Sequence, residues 1–510
     1  SMIHNSKLIL GPPGCGKTYR LIQEIEEALQ SGVHPSRIGV ISFTRKAIEE
    51  MITRACSQFN LESKDFPFMR TSHSLGFHGL GLQPEDVMKL ADYKAIGEPI
   101  GLSFEKEDEI DLDDGMRTPN LGGTGQDYLQ MDSRSRYRMV SLEDEFSATN
   151  NFTLFYAKAV QFQETLQEYK RTTGKVDFID MIERYIELGE YPNLDYLFVD
   201  EAQDFTPLQW EMVKGMSECA DKIIIAGDDD QAVHRWTGVN VNLFIQSSSN
   251  IEYLTQSYRI PRRVHELAAS IANRIDGRIE KKFDPRDELG TVEYVYYIDQ
   301  IPLNEGSWTI MARTNRYVRD VASFLRNSGF KYSIKGRPSI SEKLVENMMT
   351  WDDLCQGKKI NTERIKRLYA AVPKQGEDAV VKRGASKLLE VLTPEDEVDM
   401  DTLLDEFGLL RDASHAAYDV LKVSYKEREY IEAIYRRGED LTSKPRIKVS
   451  TFHAMKGGED DNCVVLDKST AACVNSDHPD DEHRAFYVGV TRARHNLYIV
   501  LTGNKYRYML

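Results

Sequence analysis

No apolar run in the chain approaches the roughly 18 residues that a membrane-crossing helix needs. The first residues lack the basic, apolar and small-residue order of a secretory leader. Neither membrane insertion nor export is expected. Cysteine is scarce and scattered: Cys15, Cys56, Cys219, Cys355, Cys463 and Cys473 form neither metal-ligand pairs nor a disulfide framework, a pattern that suits a reducing, cytoplasmic setting. Positive charge is short as well, with 65 Lys and Arg against 81 Asp and Glu and a net charge of -16. This excludes partners that need an overall basic protein and leaves only those that a local groove can hold. Acidic stretches at 105–114 and 395–405 read as solvated faces. No internal repeat or low-complexity tract is visible.

At 510 residues there is room for three or four compact units. The run Lys7-Leu-Ile-Leu10 followed by Gly11, Pro12, Pro13, Gly14, Cys15, Gly16, Lys17 and Thr18 reads as a buried strand, a glycine-rich turn and a helix start, which is a P-loop. Its backbone N–H groups would face phosphate oxygens, Lys17 would reach the β and γ phosphates, and Thr18 would hold a magnesium ion. Downstream, the apolar Tyr196-Leu-Phe-Val-Asp200 ends in Asp200-Glu-Ala-Gln-Asp204, so carboxylates emerge at a strand end, where open α/β sheets place ligands. Alone, such an acidic end reads equally well as a solvated edge. With a P-loop upstream, Asp200 is the expected magnesium ligand and Glu201 the group that polarises the attacking water.

A third apolar strand, Lys222-Ile-Ile-Ile-Ala226, runs into Gly227-Asp-Asp-Asp-Gln231 and then His234-Arg-Trp236. Gln231 is placed to sense the γ phosphate. Trp236 is either a core residue or a side chain that stacks on a base.

With the segments that follow, the series resembles the UvrD/Rep group of superfamily one helicases. Ile41-Ser-Phe-Thr-Arg-Lys46, Thr71-Ser-His-Ser74, Asp177-Phe-Ile-Asp-Met181, Gln256-Ser-Tyr-Arg259, Val449-Ser-Thr-Phe-His-Ala-Met-Lys-Gly-Gly-Glu459 and Ala485-Phe-Tyr-Val-Gly-Val-Thr-Arg-Ala-Arg494 match the family's segments in order. The resemblance implies an ATP-dependent, DNA-stimulated ATPase that tracks along single-stranded DNA and acts at junctions with duplex. The Lys456-Gly-Gly-Glu459 signature implies movement from 3′ to 5′. ATP and Mg2+ are the implied cofactors, no membrane is involved, and the protein partners are open. The implied location is cytoplasmic, at the nucleoid or in a host cytoplasm if phage-encoded.

Residue by residue, the resemblance implies that Arg259 and Arg492 contact the γ phosphate as arginine fingers. Tyr258 would stack on the nucleotide base, Gly457 would belong to the nucleotide site and Glu459 would approach the ribose. Phe43, Thr44, Thr71, His73, Trp236 and His453 would meet DNA. Charge spreading over a transferred phosphoryl group needs cations from both sides, which agrees with paired arginines. Without the motif context, each arginine reads as a surface salt bridge. His234 and Thr237 stand where the family carries a tyrosine and an arginine, so DNA contacts around Trp236 are expected to differ.

The expected architecture is α/β, with two RecA-like P-loop domains each interrupted by a largely helical insertion. The first domain is expected at 1–74 and 152–258 with its insertion at 75–151. The second is expected at 259–341 and 445–510 with its insertion at 342–444, where 362–369 and 425–436 carry helical periodicity. The chain ends about sixteen residues after the last motif, so no partner-binding tail is expected. An ATP-driven remodeller that displaces proteins from DNA without processive unwinding, and a nucleotide-gated DNA-binding signalling module, are the other readings.

The family carries an adenine-reading glutamine ahead of the P-loop, and no counterpart to it is expected here. Asn5 and His4 stand in that region instead. Base recognition is then expected to rest on stacking at Tyr258, which any base satisfies. GTP should support DNA-stimulated hydrolysis with kcat/KM within about tenfold of ATP. Steady-state kinetics with each triphosphate checks this, and a stricter ATP preference would point to another adenine-reading group.

Overall fold

The computed structural model describes residues 2–106, 121–149, 151, 153–233, 240–476 and 478–510. The chain divides into two compact units, Ser1–Ile301 with Phe452–Leu510, and Pro302–Thr451.

In the first unit, six parallel strands form one sheet in the order Met69–Thr71, Ile38–Ser42, Leu194–Asp200, Ala220–Gly227, Ser6–Leu10 and Ile251–Tyr253. These strands read as nearly continuous apolar runs because both faces are covered. Leu8, Leu10, Leu197, Val199, Ile223 and Ile225 enter one core with helices Phe178–Leu188 and Pro207–Ser217. Their alternates Ile9, Phe198 and Ile224 enter the opposite core with helices Lys17–Gln30 and Arg45–Phe59. Each fully buried aliphatic side chain contributes about 1.5–3 kcal/mol of transfer free energy. The same unit holds a second set of parallel strands, Asp460–Leu466, Ala493–Val500 and Thr291–Val295, beside helix Pro479–Val490.

The region expected as the first insertion has its own apolar cluster, including Tyr93, Phe104, Tyr128, Leu129 and Met131. That cluster runs past 151, because Ala159, Phe162 and Leu166 of helix Tyr156–Thr173 pack into it. Most of the expected glycine-rich loop at 113–125 lies outside the described residues.

In the second unit, Trp308–Ala312 and Tyr332–Ile334 flank Ile447–Thr451 in parallel, and Arg337–Pro338 closes a hairpin on Tyr332–Ile334. The helices expected from periodicity form as Thr362–Ala371, capped by Asn361, and Tyr425–Arg436, capped by Ser424. The indole of Trp351 is fully buried and donates to the carbonyl of His415 at 2.8 Å. Among the described residues, no helix is long and apolar enough to cross a membrane.

A buried ionic cluster ties helix Gln126–Arg138 to helix Phe178–Leu188. Arg136 pairs with Asp177 at 2.6 Å, Asp180 at 2.8 Å, Glu183 at 2.5 Å and Asp132 at 3.6 Å. Lys170 pairs with Asp177 at 2.6 Å and Asp180 at 2.9 Å. Burial opposes the charge on Asp177, but Arg136 and Lys170 outweigh it and hold its carboxyl far below the usual range. Removing one partner strands buried carboxylates, so Arg136→Met should destabilise this unit by about 3–5 kcal/mol. Chemical denaturation checks it, the wild-type midpoint being the contrary result.

Candidate nucleotide site

Three strand ends converge at one edge of the six-stranded sheet, and each hands over to polar residues. Ser6–Leu10 leads into the glycine loop, Leu194–Asp200 ends in the acidic pair, and Ala220–Gly227 is followed by Asp228 to Gln231. Gly14 and Gly16 take positive φ values of 73° and 80°. A Cβ at Gly14 would lie 2.5 Å from Cβ of Arg259 and 2.8 Å from Oγ of Ser257, so the loop lies directly against the Gln256-Ser-Tyr-Arg259 segment. Two hydrogen bonds fix that contact: Ser257 Oγ donates to Pro13 O at 2.9 Å, and Tyr258 N–H donates to Gly14 O at 2.9 Å. The Tyr258 ring stays 75% exposed, available for stacking.

Lys17 opens helix Lys17–Gln30, and its buried ammonium donates to Gly11 O. Thr18 donates its hydroxyl to Asp200 Oδ2 at a long 3.4 Å. Burial, then the neighbouring Glu201, push the Asp200 carboxyl up to about 7. Glu201 sits in a left-handed backbone conformation, φ 51° and ψ 40°, an unusual one for a side chain with a Cβ, of the kind that clusters at functional sites. Burial also opposes its charge, yet Lys456 and Lys17 outweigh burial and hold its carboxyl below the usual range.

Gln231, at the end of the third strand's loop, accepts from the Arg492 guanidinium at 2.9 Å and donates to Asp228 Oδ2 at 2.8 Å. Arg492 is 1% exposed, and burial and then Arg259 push it down to about 9, which leaves it a cation at neutral pH. Arg259 donates to Glu459 at 3.0 Å and to Thr491 O at 3.4 Å. Glu459 therefore faces an arginine. Gly457 has φ 80° with open space around its Cα. The geometry brings Lys17, Thr18, Asp200, Glu201, Gln231, Arg259 and Arg492 to one sheet edge.

Three further groups, Gln203, Asp204 and Lys456, take part to which the sequence reading gave no role at this site. Gln203 donates to Glu201 at 2.7 Å and accepts from the Asp228 N–H at 3.1 Å. Lys456 pairs with the buried Asp204 and lies 3.6 Å from Glu201; burial pushes its ammonium down to about 7. All of these residues stand inside the quoted motifs. The signal was present, but only the fold says that the Lys456 turn faces the acidic strand.

The expected DNA contacts divide. Thr44 and Thr71 cap helices Arg45–Phe59 and Ser72–Gly79 and are half-buried, as is His453. Phe43 and His73 are buried in this structure, 2% and 4% exposed, and the His73 Nε2 shares a 2.8 Å hydrogen bond with the Tyr137 hydroxyl. Both side chains belong to the interior of this unit. Trp236, with His234 and Thr237, lies outside the described residues.

Two family models match. The UvrD/REP helicase N-terminal domain covers residues 1–252, and the UvrD-like helicase C-terminal domain covers residues 426–504. The chain belongs to the UvrD/Rep helicase family. The class is the one expected, α/β with two RecA-like domains. The chain is similar to the ATP-dependent DNA helicase PcrA of Leuconostoc citreum, with 23% identity over 66% of this chain and 48% of that protein. It is similar to the probable DNA helicase II homolog of Mycoplasma capricolum, with 22% identity over 98% of this chain and 83% of that protein. It is also similar to the ATP-dependent DNA helicase Rep of Buchnera aphidicola from Acyrthosiphon pisum, with 27% identity over 56% of this chain and 45% of that protein. The match thus spans about half the length of the PcrA and Rep relatives.

Cys15, inside the phosphate loop, has opposing influences on its thiol. A thiol beside a lysine and a helix N-terminus is expected to ionise easily, yet burial outweighs Lys17 and pushes Cys15 up to about 12. The reason is that the side chain is 5% exposed, so desolvation of the thiolate dominates. Native protein treated with iodoacetamide at neutral pH should keep Cys15 unmodified by peptide mass mapping, while denatured protein labels it. Rapid native labelling with loss of ATP hydrolysis would contradict this.

Proposed function

We propose that this UvrD/Rep-family chain is an ATP-dependent DNA helicase whose hydrolysis is stimulated by single-stranded DNA and which tracks 3′ to 5′. The observation that carries the proposal is the convergence of a P-loop, the buried Asp200 beside a half-buried Glu201, and a buried arginine held by Gln231 at one sheet edge. In this reading Lys17 and the loop N–H groups of Gly14, Gly16, Lys17 and Thr18 grip the phosphates, and Tyr258 stacks on the base. Glu201 orients the attacking water and accepts its proton, and Arg259 and Arg492 neutralise the charge that develops on the γ phosphate.

Hard oxygen donors on Thr18 and Asp200 fit Mg2+. The crowding of Asp200 against Glu201 is what a bound cation would relieve. When bound, the ion would supply charge neutralisation on the phosphate oxygens.

Thr44, Thr71 and His453, beside the same motifs, are the proposed DNA contacts in this conformation. Single-stranded DNA and its junctions with duplex are the proposed substrates. Direction is tested on partial duplexes with a 3′ or a 5′ tail. Unwinding of the 3′-tailed substrate alone is expected, and preference for the 5′ tail would reverse the polarity.

Lys17→Ala, Glu201→Gln and Arg492→Ala should each lower DNA-stimulated ATP turnover by on the order of a hundredfold or more, measured on protein that circular dichroism shows to be folded. Near-normal turnover in a folded variant would overturn the assignment for that residue.

A further inference from the structure

Three consecutive carboxylates, Asp228, Asp229 and Asp230, follow strand Ala220–Gly227, and all are fully buried. Such a triplet is strongly destabilising unless cations accompany it. Lys281 accompanies it. Its side chain is 1% exposed, and its ammonium lies 3.7 Å from Asp228, 2.8 Å from Asp229 and 2.8 Å from Asp230. Arg278 makes a two-point contact with Asp230 at 3.0 and 2.7 Å, and the Ile279 N–H donates to Asp229 at 2.7 Å. These partners come from residues 278–281, outside every motif read in the sequence. The carboxylates have the oxygen chemistry of a cation site, and the Lys281 ammonium is the cation that fills it.

The three carboxylates have different tasks. Asp229 and Asp230 are held by the 278–281 segment, whereas Asp228 faces the nucleotide side. Its Oδ2 accepts from the Gln231 amide at 2.8 Å and its Oδ1 accepts from the Asp230 N–H at 3.1 Å. An ionised carboxylate only accepts, so Gln231 must present its NH2 to Asp228 and is left with its carbonyl oxygen toward Arg492, which donates at 2.9 Å. A turned amide would set donor against donor at the guanidinium.

We infer that Lys281 is a positioning residue for hydrolysis: its ammonium, seated among the three carboxylates, holds Asp228 in place as the acceptor that fixes the Gln231 amide and through it the seat of Arg492. Lys281 touches no reacting atom. The inference rests on the reading of Arg492 as a γ-phosphate contact.

Lys281→Met alone leaves three carboxylates against one cation, so the test uses Lys281→Met with Asp229→Asn, which preserves the cluster's net charge. The double variant is expected to melt within a few degrees of wild type. Its DNA-stimulated kcat should fall about tenfold or more with KM for ATP within about twofold. Placed on Gln231→Ala, the same pair should cause no further loss of the residual turnover, because the path runs through Gln231. Wild-type kcat in the folded double variant, or an undiminished further loss on Gln231→Ala, overturns the inference.

Should the double variant not fold, Lys281→Arg, which keeps the charge but relocates it, is measured alone and on Gln231→Ala against the same two outcomes. Full turnover in Arg492→Ala would instead bring down the functional reading beneath it. Loss in Arg492→Ala without loss in the Lys281 variants refutes the positioning role alone.

Discussion

The parallel pairing of Ser6–Leu10 on both sides is the constraint on which the site depends. Leu10 is registered with Gly227 on one neighbour and with Tyr253 on the other. The glycine loop, the Asp228 segment and the approach to Gln256 therefore leave the sheet at one level. Parallel strands make this unavoidable, since all their carboxyl ends point the same way. A slip of one residue would exchange Leu8 and Leu10 with Ile9 between two filled cores, so the register that stabilises the unit is also the one that aligns its chemistry.

What gathers at that edge is charge, nearly all of it out of water. Asp200, Asp204, Asp228, Asp229 and Asp230 are fully buried, and Lys17 and Arg492 almost so. A network of this kind stabilises little relative to an apolar core, but losing one member is costly. Its physical yield is specificity of arrangement: each acceptor has a named donor, so Gln231, Arg492 and Glu201 have few alternative positions. It also explains how a chain with a net charge of -16 can house an anion site. Lys17, Arg259 and Arg492 are the cations placed at that site, whatever the surface total.

The same logic recurs away from the nucleotide. The region expected as the first insertion has its own apolar cluster, yet it is joined to helix Phe178–Leu188 through Arg136 and the three carboxylates Asp177, Asp180 and Glu183. Asp177 serves twice there, capping that helix through Asp180 N–H and accepting from Arg136. A direction-dependent ionic joint fixes orientation more sharply than apolar contact, which is non-directional.

By itself the sequence determined the strands, the loop and most of the chemistry. Apolar runs ending in glycine or carboxylate identify buried strands and what leaves them, and the helical periodicity at 362–369 and 425–436 is likewise read from the chain, because these signals are local. Tertiary structure alone decided which side chains are dry and which segments face one another. Cys15 has the neighbours of a reactive thiol and the burial of an inert one. Phe43 and His73 carry motif positions but lie under the surface. Lys281 and Arg278 belong to no motif and yet neutralise one. Desolvation and long-range pairing depend on residues tens to hundreds of positions away, and no local pattern encodes them.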